Sequence, residues 1–99
     1  MNLDEKIANS ILIKKSQNKI NTILKKYDEL SQRIIKNNNL LNNIKNSNIS
    51  EPEKKDKIKK LEEKIEFISQ QKKEELSKFF REKREQSIIK TLIMENLKP

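Results

Sequence analysis

Apolar residues recur at helical spacing along the first half of the chain. With Ile13 placed at heptad position a, eight of the ten a and d positions are apolar, and no Gly or Pro interrupts residues 3–44. This pattern predicts one long amphipathic helix with a coiled-coil seam, the strip of a and d side chains that faces a neighbouring helix. The ten positions are Ile13, Ser16, Ile20, Ile23, Tyr27, Leu30, Ile34, Asn37, Leu41 and Ile44.

A helix break is signalled in the middle of the chain. Ser50 and Glu53 have the spacing of a capping box, in which two side chains satisfy free amides at a helix start. Pro52 falls in the first turn, where its missing N–H would have no partner in any case. We therefore expect a helix over 3–46, a turn over 47–50 and a helix over 51–97.

The apolar spacing of the second half is less regular. A first seam of Ile58, Leu61, Ile65 and Ile68 is followed by residues 69–75 and 81–87, which contain no apolar residue. Leu76, Phe79 and Phe80 lie between these two stretches. The chain then becomes rich in apolar residues from residue 88 onward.

Two arms of similar length and a short turn predict an all-α fold: a long, coiled-coil-like antiparallel two-helix hairpin, with residues 1–99 as one domain. Paired residues should have numbers that add to about 99, which sets Ile34 opposite Ile65 and Ile23 opposite Leu76. We expect the tightest packing near the turn. The hairpin could form part of a larger helical bundle. A kink at Asn37–Asn39, giving three helices, is the alternative, because Asn competes with the helix by bonding the backbone locally.

The composition excludes most kinds of catalytic site. The chain has no Gly, Cys or His, which removes phosphate-binding glycine loops, the usual zinc ligand sets and nucleophile–histidine triads. We therefore expect no enzyme activity, no metal, no cofactor and no small-molecule substrate. No apolar run approaches the roughly 20 residues of a membrane span, and residues 1–10 lack the apolar segment of a signal peptide.

The net charge of +8 allows an acidic partner, although we favour a solvated face as the interpretation of the basic residues. Lys, Ile and Asn supply 20, 15 and 12 of the 99 residues, which is typical of an AT-rich genome and explains part of the charge. In the interpretation that requires no partner, the basic residues form a solvated face on which Glu82 and Glu85 are interspersed. The candidate contacts to an acidic partner or to phosphate are Lys14, Lys15, Lys19, Arg81, Lys83 and Arg84.

The open end of the predicted hairpin carries more apolar side chains than one neighbouring helix can cover. We interpret it as a docking surface for another helical protein or for a second copy of the chain. The alternative is that these residues only hold the two termini together. The candidate docking residues are Leu3, Ile7, Ile11, Ile88, Ile89, Leu92, Ile93 and Leu97.

These features predict a non-enzymatic helical protein-interaction module that acts as a small subunit, adaptor or assembly chaperone in a larger complex. The alternative is a basic helical protein associated with RNA or the ribosome, and we do not expect a membrane partner. We expect a cytoplasmic location. The basic run Lys54–Lys60 leaves a nuclear location as an alternative.

Overall fold

The computed structural model describes residues 3–97, and for Leu97 the backbone only. These residues form two helices, α1 (Leu3–Lys45) and α2 (Glu51–Leu97), and they contain no strand. The two helices pack as a hairpin, which confirms the predicted fold class. Both helix bounds agree with the sequence prediction to within one residue. The assignment of residues 1–99 to one domain stays a prediction.

Hydrogen bonds from the turn satisfy the carbonyl groups at the end of α1. The amide of Asn46 donates to the Asn42 carbonyl at 3.1 Å, and the Ser47 amide donates to the Ile44 carbonyl at 3.1 Å. Lys54 Nζ reaches back from α2 and donates to the Lys45 carbonyl at 3.1 Å. A lysine at a helix C-terminus is favourable because the free carbonyls carry partial negative charge.

The start of α2 falls where the sequence predicts it, but without the reciprocal capping bonds. The Ser50 carbonyl accepts the first hydrogen bond of the helix, from the Lys54 amide at 2.9 Å. Among the described residues, the Ser50 hydroxyl forms no hydrogen bond to α2. Glu53 instead pairs with Lys57, whose Nζ lies 3.3 Å from its carboxylate. Ser50 therefore caps α2 through its backbone alone.

The predicted alternative of a kink at Asn37–Asn39 is wrong, because α1 is continuous through these residues. Asn37 occupies a seam position and is buried. Its Nδ2 donates to the Arg33 carbonyl one turn earlier, at 2.7 Å. The amide thus bonds the backbone of its own helix without interrupting it.

The seam follows an unbroken heptad spacing in both helices. All ten positions predicted for α1 are buried or half-buried. In α2 the seam continues beyond Ile68 through positions that are mostly polar, and all of them are again buried or half-buried. The α2 positions are Lys54, Ile58, Leu61, Ile65, Ile68, Lys72, Glu75, Phe79, Glu82, Gln86, Ile89 and Ile93.

Two expectations about the seam are wrong. Leu76, predicted to face Ile23 across the seam, is instead 39% exposed, and Glu75 holds the seam position beside it. The tightest packing does not lie nearest the turn. Of the four residues expected there, Leu41 is buried but Ile34, Ile58 and Ile65 are half-buried, whereas the fully buried side chains are Ile20, Leu30 and Ile68. Apolar spacing identifies the inner side of a helix but not how completely the opposite helix covers each position.

The described residues divide into two compact units. The terminal unit comprises the chain up to Lys25 and from Glu75 onward, and the turn unit comprises Lys26–Glu74. In the turn unit, the contact of Lys54 with Lys45 and that of Lys72 with Tyr27 show an antiparallel pair. In the terminal unit, segments of α1 and α2 are likewise paired, and their polar contacts are described below.

Candidate interaction surface

The terminal unit has a mixed interior, in which four of the ten seam positions are polar and the apolar ones include the fully buried Ile20. Of the four polar side chains, Ser16 and Gln86 are buried most completely. Gln86 Nε2 donates to Gln17 Oε1 at 3.0 Å, whereas the Ser16 hydroxyl has no hydrogen-bond partner. Burying an unpaired hydroxyl costs free energy. The polar positions of this seam therefore contribute less to stability than apolar residues would.

The seam of the turn unit is more apolar than that of the terminal unit. It is apolar except at Asn37, Lys54 and Lys72, and each of these polar groups has a partner. Asn37 and Lys54 donate to backbone carbonyls. The Lys72 ammonium lies 4.8 Å from the centroid of the Tyr27 ring, within the range of a cation–π interaction. At its seam positions the turn unit therefore pairs every polar group, whereas Gln71 Oε1, beside the seam, is buried without a hydrogen-bond partner.

Exposed apolar side chains are concentrated on the terminal unit. The turn unit exposes three large apolar residues, Ile35, Leu40 and Phe67. The terminal unit exposes ten: Leu3, Ile7, Ile11, Leu12, Leu24, Leu76, Phe80, Ile88, Leu92 and Met94. A unit that exposes this many large apolar side chains is typical of a protein that uses its outer surface for binding.

The residues predicted to dock a partner fall into three groups. Leu3, Ile7, Ile11, Ile88 and Leu92 are exposed, with Leu3 71% and Ile88 59% accessible. Ile89 and Ile93 are half-buried members of the seam. The side chain of Leu97 lies outside the described residues. Leu76 is an exposed residue that the sequence analysis missed, because its apolar character placed it in the seam.

An open cavity of about 490 Å³ lies between α1 and α2 within the terminal unit. Its charged lining consists of Lys19, Lys78, Arg81 and Glu82, and Ile23 contributes apolar surface. Lys78 Nζ pairs with the Glu75 carboxylate at 3.1 Å. Within residues 3–96, neither Lys19 nor Arg81 forms an ion pair. The cavity therefore has two cations that no carboxylate of the described chain neutralises.

Of the six predicted basic contacts, the structure brings Lys19 and Arg81 together at this cavity. Lys14, Lys15, Lys83 and Arg84 are exposed and do not line it. Lys83 lies with its Nζ 5.8 Å from the centre of the Phe79 ring. Sequence spacing could not identify the cavity, because its shape depends on how two segments far apart in the chain pack.

The described residues contain no group of three metal-ligating side chains that could hold an ion. None of the described helices combines the length and the apolar character needed to cross a bilayer. The chain matches no protein-family model, no curated protein sequence and no solved structure.

Proposed function

We propose that the protein is a non-enzymatic helical interaction module that acts as a small subunit, adaptor or assembly chaperone. Its terminal unit would dock another helical element of a larger complex. The observation that carries this proposal is the contrast between the two units. The terminal unit exposes ten large apolar side chains and the turn unit three, and polar residues hold four of the ten seam positions in the terminal unit but three of the twelve in the turn unit.

Burial of the exposed apolar area gives the terminal unit an energetic reason to bind a partner. Burial of apolar area stabilises a fold by about 25 cal/mol per Å², and a chain of this size has little net stability from one seam. The terminal unit leaves much of its apolar area in water. Covering that area with a partner helix would supply the burial that the hairpin lacks. The stability gained on assembly is then the reason for the apolar surface.

Capture with variants of the full-length protein tests the function. Tagged wild-type protein and an Ile88→Asp/Leu92→Asp variant serve as baits, and the bound proteins are identified by mass spectrometry. We expect the variant to lose the specific partners. Phe67→Asp, which changes an equally exposed residue in the turn unit, is the matched control and should retain them. If all three baits capture the same proteins, the terminal unit is not the docking surface.

RNA or ribosome binding is the alternative, supported by the exposed positions of Lys14, Lys15, Lys83 and Arg84. The dependence of binding on salt separates the two functions. Contacts to single-stranded phosphates make the logarithm of the binding constant fall with a slope of about 0.7 per phosphate neutralised, whereas apolar helix docking changes little. A steep slope with RNA, together with unchanged binding by the Ile88→Asp/Leu92→Asp variant, would favour the alternative.

The proposal places this activity in the cytoplasm. A nuclear location would require Lys54–Lys60 to act as a targeting run. Imaging a fluorescent fusion, with and without replacement of Lys54 and Lys55 by Ser, distinguishes the two compartments. We expect both fusions to show the same cytoplasmic distribution.

A further inference from the structure

One side of the terminal unit carries a symmetric sequence of charges. Residues seven apart in a coiled-coil helix lie on the same side. On α1, such a row contains an acidic, an apolar and a basic residue: Glu5, Leu12 and Lys19. On α2, a second row contains the same three types in the reverse order along the chain: Arg81, Ile88 and Glu95.

The cavity establishes that the two rows share one side of the unit. Lys19 and Arg81 both line it, so the basic ends of the two rows lie next to each other. Since α1 and α2 run in opposite directions, the rows leave the cavity together. Leu12 then comes level with Ile88, and Glu5 comes level with Glu95. Along these two rows the side chains are therefore basic at the cavity, apolar in the middle and acidic toward the helix ends. The row that begins at Lys78, which also lines the cavity, continues with Glu85 and Leu92.

We propose that this side binds the same side of a second copy of the chain, about a two-fold axis at the level of Leu12 and Ile88. The inference rests on the proposed function and names the partner of its docking surface. In such a dimer α1 lies antiparallel on α1 of the second copy, and α2 lies antiparallel on its α2. Arg81 of each copy then meets Glu95 of the other.

The spacing of the charges supports a second copy as the occupant. A two-fold interface requires a surface that is complementary to itself. Ile88 is seven residues from both Arg81 and Glu95. A two-fold rotation about an axis at the level of Ile88 therefore places Arg81 of one copy against Glu95 of the other. Within residues 3–96 neither Arg81 nor Glu95 forms an ion pair, and both are exposed. Ile88 and Leu12 are exposed at the centre, where they would be covered by their own counterparts.

The same pattern disfavours a nucleic acid or an anionic bilayer on this side. Both present negative charge along the whole contact, and Glu95 would face it. The two rows cover an area of about 22 by 20 Å, from 15 residues at about 1.5 Å each and two helices about 10 Å wide. This area is about 440 Å² on each copy, or about 880 Å² in total, which is below the range of stable interfaces and typical of a weak, transient one. We therefore expect a dimer with a dissociation constant in the micromolar range.

Charge reversal with mixing tests the pairing. Arg81→Glu and Glu95→Arg each place like charges at both symmetric contacts, so each variant alone should dimerise at least about tenfold more weakly than the wild type. An equimolar mixture of the two restores an opposite pair at both contacts. Sedimentation equilibrium should then show a dimer in the mixture that is absent from either component.

Matched controls keep the result specific to this side. Lys90→Glu makes the same charge change as Arg81→Glu on the same helix, at a different heptad position, and should dimerise like the wild type. Glu63→Arg serves in the same way for Glu95→Arg, on the exposed surface of the turn unit. Far-ultraviolet circular dichroism of each variant should show the helix content of the wild type.

Three outcomes would overturn the proposal: a wild-type protein that stays monomeric up to several hundred micromolar, a dimer that neither reversal weakens, or weakened variants that do not pair when mixed. The proposed function is judged separately. If the wild type is monomeric yet the Ile88→Asp/Leu92→Asp bait loses its captured partners, the docking surface exists and takes a different protein. If the wild type is monomeric and that bait retains all partners, both proposals are wrong.

Discussion

Gln86 Nε2 donates to Gln17 Oε1 at 3.0 Å, and this hydrogen bond joins two residues that are 69 positions apart in the sequence. Gln86 is buried in the seam of the terminal unit, while Gln17 is exposed beside it. The bond fixes which turn of α1 lies against which turn of α2 in a unit whose seam is otherwise rich in polar residues. A polar contact inside a seam selects one register at a cost in stability.

Replacing Gln17, the acceptor of this bond, should destabilise the protein more than replacing Gln86, the buried donor. Gln17→Ala leaves the buried amide of Gln86 without a partner and should lower the free energy of unfolding by about 1–2 kcal/mol. Gln86→Leu replaces the buried amide with an apolar side chain of similar size and should leave stability equal or raise it. Urea unfolding followed by circular dichroism measures both changes.

The control for this comparison is Gln70→Ala. Gln70 is exposed and donates to the carboxylate of Glu66 within α2, at 3.0 Å. The loss of such a surface bond should change stability by less than about 0.5 kcal/mol. If Gln17→Ala has no larger effect than Gln70→Ala, the bond between Gln86 and Gln17 contributes no register preference.

The buried hydroxyl of Ser16 offers a stabilising substitution. Ser16 is buried and its Oγ has no hydrogen-bond partner, so Ser16→Ala removes a desolvation cost of about 1 kcal/mol or more. Ala also has a higher helix propensity than Ser, by about 0.5 kcal/mol. Ser10→Ala, on the exposed surface of the same helix, gains the propensity alone. The midpoint temperature of thermal unfolding should rise more for Ser16→Ala than for Ser10→Ala. Equal rises would mean that the Ser16 hydroxyl is hydrated.

Much of the seam can be predicted from the sequence, but unequally in the two helices. In α1 every predicted a and d position is withdrawn from solvent, because apolar residues mark nearly all of them. In α2 the signal fails after Ile68, where Lys72, Glu75 and Glu82 take seam positions. Polar residues carry no periodic apolar signal, so only the geometry of a continued heptad places them inside.

The candidate surface shows a similar division. The sequence correctly indicated apolar side chains in excess of the seam, such as Ile7 and Ile88, but it did not separate Ile88 from the half-buried Ile89. Residues adjacent in a helix point about 100° apart, and a wide apolar arc leaves the position of its inner edge open. The cavity at Lys19 and Arg81 depends on packing between distant segments and has no local sequence signal.

The fully buried residues should dominate stability. Leu30→Ala and Ile68→Ala each remove a side chain with almost no exposure and should lower the free energy of unfolding by about 3–4 kcal/mol. Ile35→Ala, at an exposed position of the same unit, should cost less than about 1 kcal/mol. Thermal melts of the three variants measure the contrast. Comparable losses at Ile35 and Leu30 would mean that Ile35 is covered in solution, as in an assembly that uses the turn unit.

The last prediction separates packing from docking on one helix. Ile89 and Ile93 are half-buried in the seam, whereas Ile88 and Leu92 are exposed on the outer surface one residue before each. Ile89→Asp/Ile93→Asp places two charges against α1 and should unfold the terminal unit, because buried unpaired charges cost several kcal/mol. Ile88→Asp/Leu92→Asp should keep the helices and abolish assembly. Circular dichroism and sedimentation velocity distinguish the two effects.

Each double variant replaces two apolar residues with Asp and therefore lowers the net charge by the same amount. Net charge thus cannot explain a difference between the two variants. Loss of helix content in the Ile89→Asp/Ile93→Asp variant should be confined to the terminal unit, because the seam of the turn unit from Tyr27 to Ile44 is unchanged. Hydrogen exchange should therefore show lost protection before Lys25 and after Glu75, with protection retained between Lys26 and Glu74. The Ile88→Asp/Leu92→Asp variant could lose as much helix content as the Ile89→Asp/Ile93→Asp variant. In that case Ile88 and Leu92 stabilise the fold of the hairpin, and the terminal unit does not present them to a partner.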